Sequence, residues 1–204
     1  MWLHASQYPS MAGKPAKIEW ERTGYGLRAV TYVAGISVPK VSCVIFPSIN
    51  RFTNARVDNS GSLHAVEGPR HNLLYRVPID DTHTLNMFLS FTRTQDGKLV
   101  QKTGGYRTTE PGVYKLEDDG WWTVASQDQD RMVQEQQGAI ADRSREHLGA
   151  SDRGVIMLRE MIRESIEAVA EGRDPYAVIR DPAANRVIEI DASMAELNAL
   201  PALA

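Results

Sequence analysis

The side chains in this sequence best equipped for chemistry are five histidines (His4, His64, His71, His83 and His147), the cysteine Cys43, and the neighbouring carboxylates Asp128 and Asp130. No two histidines stand in a His-x-x-x-His pair or a Cys/His cluster, so spacing alone announces no metal site. Asp80-Asp81-Thr82-His83 gathers carboxylates and an imidazole. Asx and Thr side chains also build hydrogen-bonded turns, and a turn between two strands is the expectation there. Gly104-Gly105 has no helix after it to form a phosphate cradle, and neither a nucleophile elbow nor a dinucleotide fingerprint is present. Cys43, within Val41-Ser42-Cys43-Val44-Ile45-Phe46, reads as a small core residue. A lone cysteine excludes an internal disulfide and cannot hold an iron–sulfur cluster.

Whatever chemistry exists must be positioned by one domain, because 204 residues build one real core and not two. A net charge of −3 gives no electrostatic case for nucleic acid or an anionic membrane surface. Apolar runs fall short of the roughly 18 residues that span a bilayer. The start, Met1-Trp2-Leu3-His4, lacks the basic and apolar segments of a secretory signal, which makes the cytoplasm the expected compartment.

The first half reads as strands: Ile18 to Arg22, Leu27 to Val33, Val41 to Phe46, Asn72 to Pro78 and Leu85 to Phe91. Asn50 to Pro69 is polar and rich in turn formers, which predicts a loop. Gln95 to Gly120, with its glycines and charges, reads as an excursion from the core. A helix is expected from near Asp130 towards His147. A second follows Ser151-Asp152, where either residue can cap it, and ends at Gly172 and Pro175. Its stripe Val155, Leu158, Ile162, Ile166 and Val169 predicts the buried face, with Arg159, Glu160, Arg163 and Glu164 in water. Strands followed by a long helix make an α+β domain, packed as a curved sheet around the helix with a cavity between them.

Three stretches go beyond pattern. Gln129-Asp130, Gln134-Glu135, Gly138, Asp142-Arg143, Glu146-His147-Leu148-Gly149 and Ser151-Asp152 follow one another in a spacing that resembles the C-terminal signature of Rieske oxygenase α subunits. The similarity is greatest to the phthalate 4,5-dioxygenase and aryl O-demethylase branch. Tyr75 to Thr84 resembles that branch's strand-turn-strand, and Trp2-Leu3-His4 resembles the end of its His-x-x-x-x-His segment. The resemblance covers 1–182 as a partial catalytic domain and leaves 183–204 as a tail. It implies a helix-grip (Bet v 1/START-like) antiparallel sheet around the long C-terminal helix.

The family binds a mononuclear Fe(II) through two histidines and one carboxylate, which leaves coordination positions open for dioxygen. Carried over, His4 matches the second histidine and Asp130 the carboxylate. Asp128 is the competitor; in a helix it stands about 160° away, so both cannot face one ion. The first histidine falls before Met1, as do the family's acidic bridge residue and its Rieske domain. The resemblance therefore implies a truncated chain, inactive alone, whose [2Fe-2S] Rieske cluster lies in the missing domain or a partner chain. Electrons would come from NAD(P)H through a reductase or ferredoxin, and other α subunits would complete a trimer. The substrate implied is an aromatic, carboxylated small molecule undergoing hydroxylation or oxidative O-demethylation. Arg28, sharing its strand face with Val30 and Tyr32, is the first candidate to receive the carboxylate, and Arg76 the second. The rival expectations are a non-catalytic small-molecule-binding module of the same fold, or a pseudo-subunit.

Overall fold

A computed structural model of the chain describes residues 16–34, 40–54, 70–92 and 126–186. Six strands form one antiparallel meander: β1 (Ala16–Thr23), β2 (Gly26–Val33), β3 (Lys40–Ile45), β4 (Ile49–Asn54), β5 (Arg70–Pro78) and β6 (Thr84–Thr92). Each strand pairs with its neighbour in sequence. Two helices follow, α1 (Ser126–Glu135) and α2 (Arg153–Ala170). Among the described residues no helix is long and apolar enough to cross a membrane.

Side chains alternate across a sheet, and residues opposite one another in an antiparallel pair share a face. The register therefore sorts the sheet into two sides. Trp20, Arg22, Leu27, Ala29, Ser42, Val44, Asn50, Phe52, Asn72, Leu74, Arg76, Phe88 and Ser90 point one way. Glu19, Glu21, Arg28, Tyr32, Val41, Cys43, Arg51, His71, Leu73, Tyr75, Met87 and Leu89 point the other. α2 lies on the first side, the helix side. Its Gly154 meets the Trp20 indole so closely that a Cβ there would come within 2.3 Å of the ring. Arg22 reaches up to Glu164 at 3.0 Å and Glu160 at 3.6 Å. Beyond the helix, which Gly172 ends with a φ of +73°, Tyr176 donates its hydroxyl to the Thr23 carbonyl and stacks edge-on against Phe46.

Three expectations change here. The expected loop begins with a strand, β4. Its pattern is weak because Asn50 and Arg51 are polar, but each finds a partner: Asn50 accepts from Arg76, and Arg51 bonds His71 at 2.8 Å. The first helix stops at Glu135, well short of His147. The polar run after it carries no apolar stripe to bury, and Asp142 caps a short 3₁₀ turn, Arg143–Arg145, instead. In α2 the buried face is Gly154, Met161, Ser165 and Ala168. Val155, Ile162, Ile166 and Val169 of the expected core stripe are exposed, Ile166 by 64%. At Gly154 the Trp20 indole fills the space that a larger side chain would need, while Ser165 is buried where its Oγ accepts from the Tyr176 N–H. The core placement of Cys43 holds: it is 3% exposed.

Candidate functional site

Of the four residues singled out by the sequence, the structure relates two. Arg76 is half-buried near the end of β5 on the helix side, where its Nη1 donates to the Asn50 Oδ1 at 2.5 Å. Burial pushes its guanidinium below its ordinary value and the Asp130 carboxylate acts in the opposite direction, so the two charges feel each other. An arginine remains protonated through shifts of this kind. Asp130 sits on α1, where Gln129 and Met132 are buried and Asp130 itself is exposed. Asp128 and Asp130 both lie within the helix, so two residues of separation set them on nearly opposite sides; the Asp128 side chain lies outside the described residues.

Arg28 is elsewhere. It lies on the face away from α2, directly opposite Glu21 in the register, and both its Nε and Nη2 donate to Glu21 Oε2, at 3.0 and 2.6 Å. Around it Lys17 pairs with Glu19 at 2.7 Å and Tyr32 donates to the same carboxylate. Its guanidinium is thus part of a charge ladder between the first two strands, and the thickness of the sheet separates it from Arg76.

His4 and His64 lie outside the described residues. His71 bonds the buried Arg51 on the far side of the sheet. His83 belongs to the β5–β6 turn. There Asp80 Oδ1 accepts from the Thr82 and His83 backbone N–H groups, both at 2.8 Å, and meets His83 Nδ1 at 2.9 Å. The Thr82 backbone bond, followed by the His83 side chain, holds the Asp80 carboxyl down at about 2. This is the expected hydrogen-bonded turn. Among the described residues no three His, Cys, Asp or Glu side chains group as a metal site. The carboxylate of Asp130 is nonetheless an exposed, hard anionic oxygen donor of the kind ferrous iron accepts, and it acts electrostatically on the Arg76 guanidinium.

Sequence reasoning missed two amides on the helix side of the sheet. Asn50 holds the Arg76 guanidinium from the next strand. Asn72, one alternation beyond Leu74, is 1% exposed. Its Oδ1 accepts from Ser90 Oγ at 2.7 Å, while its Nδ2 finds no hydrogen-bond partner among the described residues. The available signal was an asparagine, a poor strand former, in the middle of an apolar strand. A separate surface hollow of about 420 Å³ is lined by Gln137, Ala141, Asp142, Arg143, Arg145 and Glu146, and touches neither Asp130 nor Arg76.

No family model matches the chain. It is 35% identical over 126 residues to the 5,5'-dehydrodivanillate O-demethylase oxygenase subunit of Sphingobium sp. (strain NBRC 103272 / SYK-6), a match covering 57% of this chain and 27% of that protein. It is 25% identical over 153 residues to the phenoxybenzoate dioxygenase subunit alpha of Ectopseudomonas oleovorans, covering 71% of this chain and 32% of the relative. The chain thus spans about a third or less of the length of the curated relatives it matches, and both are named as oxygenase subunits acting on aromatic compounds.

Proposed function

We propose that this chain is part of the catalytic domain of a Rieske-type oxygenase that hydroxylates or O-demethylates an aromatic carboxylic acid. The observation that carries the reading is the match to relatives named as an O-demethylase oxygenase subunit and a dioxygenase subunit alpha, over 57% and 71% of this chain; the Asp130 carboxylate, which acts electrostatically on the half-buried Arg76 guanidinium, supports it. In this reading His4 and Asp130 hold a mononuclear Fe(II), which when bound supplies dioxygen activation. Arg76 receives the substrate carboxylate, since a planar guanidinium binds a carboxylate through two parallel hydrogen bonds. Asn50 fixes one nitrogen of that fork and so sets its orientation. The sheet and α2 form a helix-grip frame, with the aromatic ring lying between them.

Cys43 is the single cysteine of the sequence and is buried, so the [2Fe-2S] centre is carried outside this stretch, and NAD(P)H electrons arrive through a reductase or ferredoxin. Assembly with further α subunits belongs to the same reading. The chain alone accordingly binds but does not turn over.

Anaerobic titration with Fe(II), followed calorimetrically, tests the metal assignment. Asp130→Ala is expected to weaken binding at least tenfold and Asp128→Ala to leave it within twofold. Equal affinities for the parent chain and Asp130→Ala would remove the iron site from α1.

A further inference from the structure

We infer that β6 is a pairing edge, and that its partner is the same strand of a second copy of this chain. The sheet ends in two strands of opposite character. β1 holds the charged residues Lys17, Glu19, Glu21 and Arg22, and its far face is laced by the Lys17–Glu19 and Arg28–Glu21 ion pairs. Charges on an edge strand discourage another chain from adding to the ladder. β6, Thr84-Leu85-Asn86-Met87-Phe88-Leu89-Ser90-Phe91-Thr92, carries no charge, proline or glycine, and among the described residues it pairs with β5 alone. Its outward row of backbone N–H and C=O groups is an unguarded template.

Apolar side chains stand along the same margin. Leu85, Met87 and Leu89 share the far face with Val77, which lies opposite Leu85, and these four are 40–53% exposed. A neutral margin of this kind gives a charged partner nothing to read. It does match itself. A two-fold axis normal to the sheet, passing through Phe88, sets two β6 strands antiparallel with both far faces on one side. Met87 of one copy then stands opposite Leu89 of the other, Asn86 opposite Ser90, and Phe88 opposite Phe88. Apolar residues meet apolar residues and polar ones meet polar ones, the condition for favourable cross-strand pairs. Moving the axis to Met87 or to Leu89 would set Phe88 opposite Asn86 or Ser90, so the residue pattern selects the register. The two six-stranded sheets become one, and the partner's Phe88 comes beside the Phe52–Phe88 pair, whose rings stand 6.1 Å apart. Such an isologous contact closes at two copies. It involves neither Asp130 nor Arg76, so its test is separate from that of the oxygenase reading.

Sedimentation velocity of the full chain, from about 1 to about 100 µM, is expected to show a reversible dimer with a dissociation constant of about 10 µM, since small interfaces are weak. Met87→Lys combined with Leu89→Lys, both at exposed positions, is expected to raise that constant about tenfold or more while leaving the melting temperature close to the parent's. Cross-linking fixes the register. In a Cys43→Ser background, Phe88→Cys is expected to oxidise to a disulfide-linked dimer, because opposed residues of an antiparallel pair have Cα atoms about 4.5–5.5 Å apart. Leu85 stands opposite position 91 in this register, about 20 Å from its own copy, so Leu85→Cys is expected to give no such dimer. Should Phe88→Cys not fold, mixing Met87→Cys chains with Leu89→Cys chains tests the same register, because those two positions are opposed. A chain that stays monomeric throughout overturns the pairing and leaves the edge to residues 93–125 or to another protein. A trimer, or equal cross-linking from Phe88→Cys and Leu85→Cys, overturns it as well.

Discussion

The two sides of the sheet carry the same kinds of side chain in opposite circumstances. Arg28 and Arg76 each lie within a strand of one sheet, and each has a hydrogen-bonding partner one strand away. On the far side Arg28 meets a carboxylate, and both of its bonded nitrogens are committed to Glu21. On the helix side Arg76 meets a neutral amide, which orients the guanidinium without neutralising it, and the carboxylate that acts on it is Asp130 on another element. The far side thus uses its charges to knit β1 to β2. The helix side sets Arg76 and the half-satisfied Asn72 amide among Leu74, Phe52 and Phe88, with Ser42, Asn50 and Ser90 on the same face and Lys40 over the Phe52 ring. What differs is the face of the sheet each occupies, which separates a guanidinium paired with a carboxylate from one held by a neutral amide.

The largest expected effect comes from filling the helix side. Gly154→Leu would drive side-chain atoms into the Trp20 indole, where even a Cβ comes within 2.3 Å. Overpacking a rigid contact between helix and sheet should destabilise by about 3 kcal/mol or prevent folding. Gly154→Ala should show a smaller loss of the same sign, because the indole must still move. Urea denaturation of the two variants measures this. Unchanged midpoints would mean that α2 does not rest on Trp20.

Next in size is the contrast between the arginines. Arg76→Gln is expected to lose about tenfold, or about 1.4 kcal/mol, in affinity for aromatic carboxylates. Arg28→Gln should leave that affinity within twofold. Its effect on stability should be about 0.2–1 kcal/mol, the range for partly exposed ion pairs, and should shrink in high salt. The comparison inverts if Arg28→Gln is the variant that loses the ligand.

Much of this was legible beforehand, and for a definite reason. Five of the six strands announce themselves by alternation or β-branched runs, and the signature from Gln129 to Asp152 carries its own specificity. β4 was not legible, since Asn50-Arg51 breaks its pattern and only pairing with β3 and β5 makes it a strand. The buried face of α2 was misread because hydrophobicity favours Ile and Val, while the helix turns Met161 and Ala168 inward together with Gly154, which fits the Trp20 indole, and Ser165, which bonds Tyr176. Arg28 stood out through its apolar strand companions Val30 and Tyr32. Which side of the sheet they occupy depends on where the helix packs, and a strand's own alternation is the same on either side. Asn72 escaped for the opposite reason, as one polar residue in a strand that reads as core.

A third region, the β5–β6 turn, belongs to neither side and titrates on its own. Asp80 has its folded-state value lowered to about 2 against an unfolded value near 3.8. The carboxylate form is favoured by folding, so its contribution is fully present above pH 3.8 and is lost as pH falls through about 2. Melting temperatures of the parent should therefore fall across that window more steeply than those of Asp80→Asn. Parallel pH profiles would mean that the turn is not held by this carboxylate.

The smallest effect is expected at Ile166, which lies on the outward stripe of α2 with 64% exposure. An isoleucine that is already wet loses little burial when truncated, so Ile166→Ser should change stability by no more than about 0.5 kcal/mol. Removing a buried isoleucine would instead cost about 2–5 kcal/mol, so the two cases are well separated in a denaturation curve. A loss in the upper range would show that the outward stripe of α2 is covered in the folded protein. The helix would then be gripped from both flanks, and Gly154, Met161, Ser165 and Ala168 would mark only one of its two buried contacts.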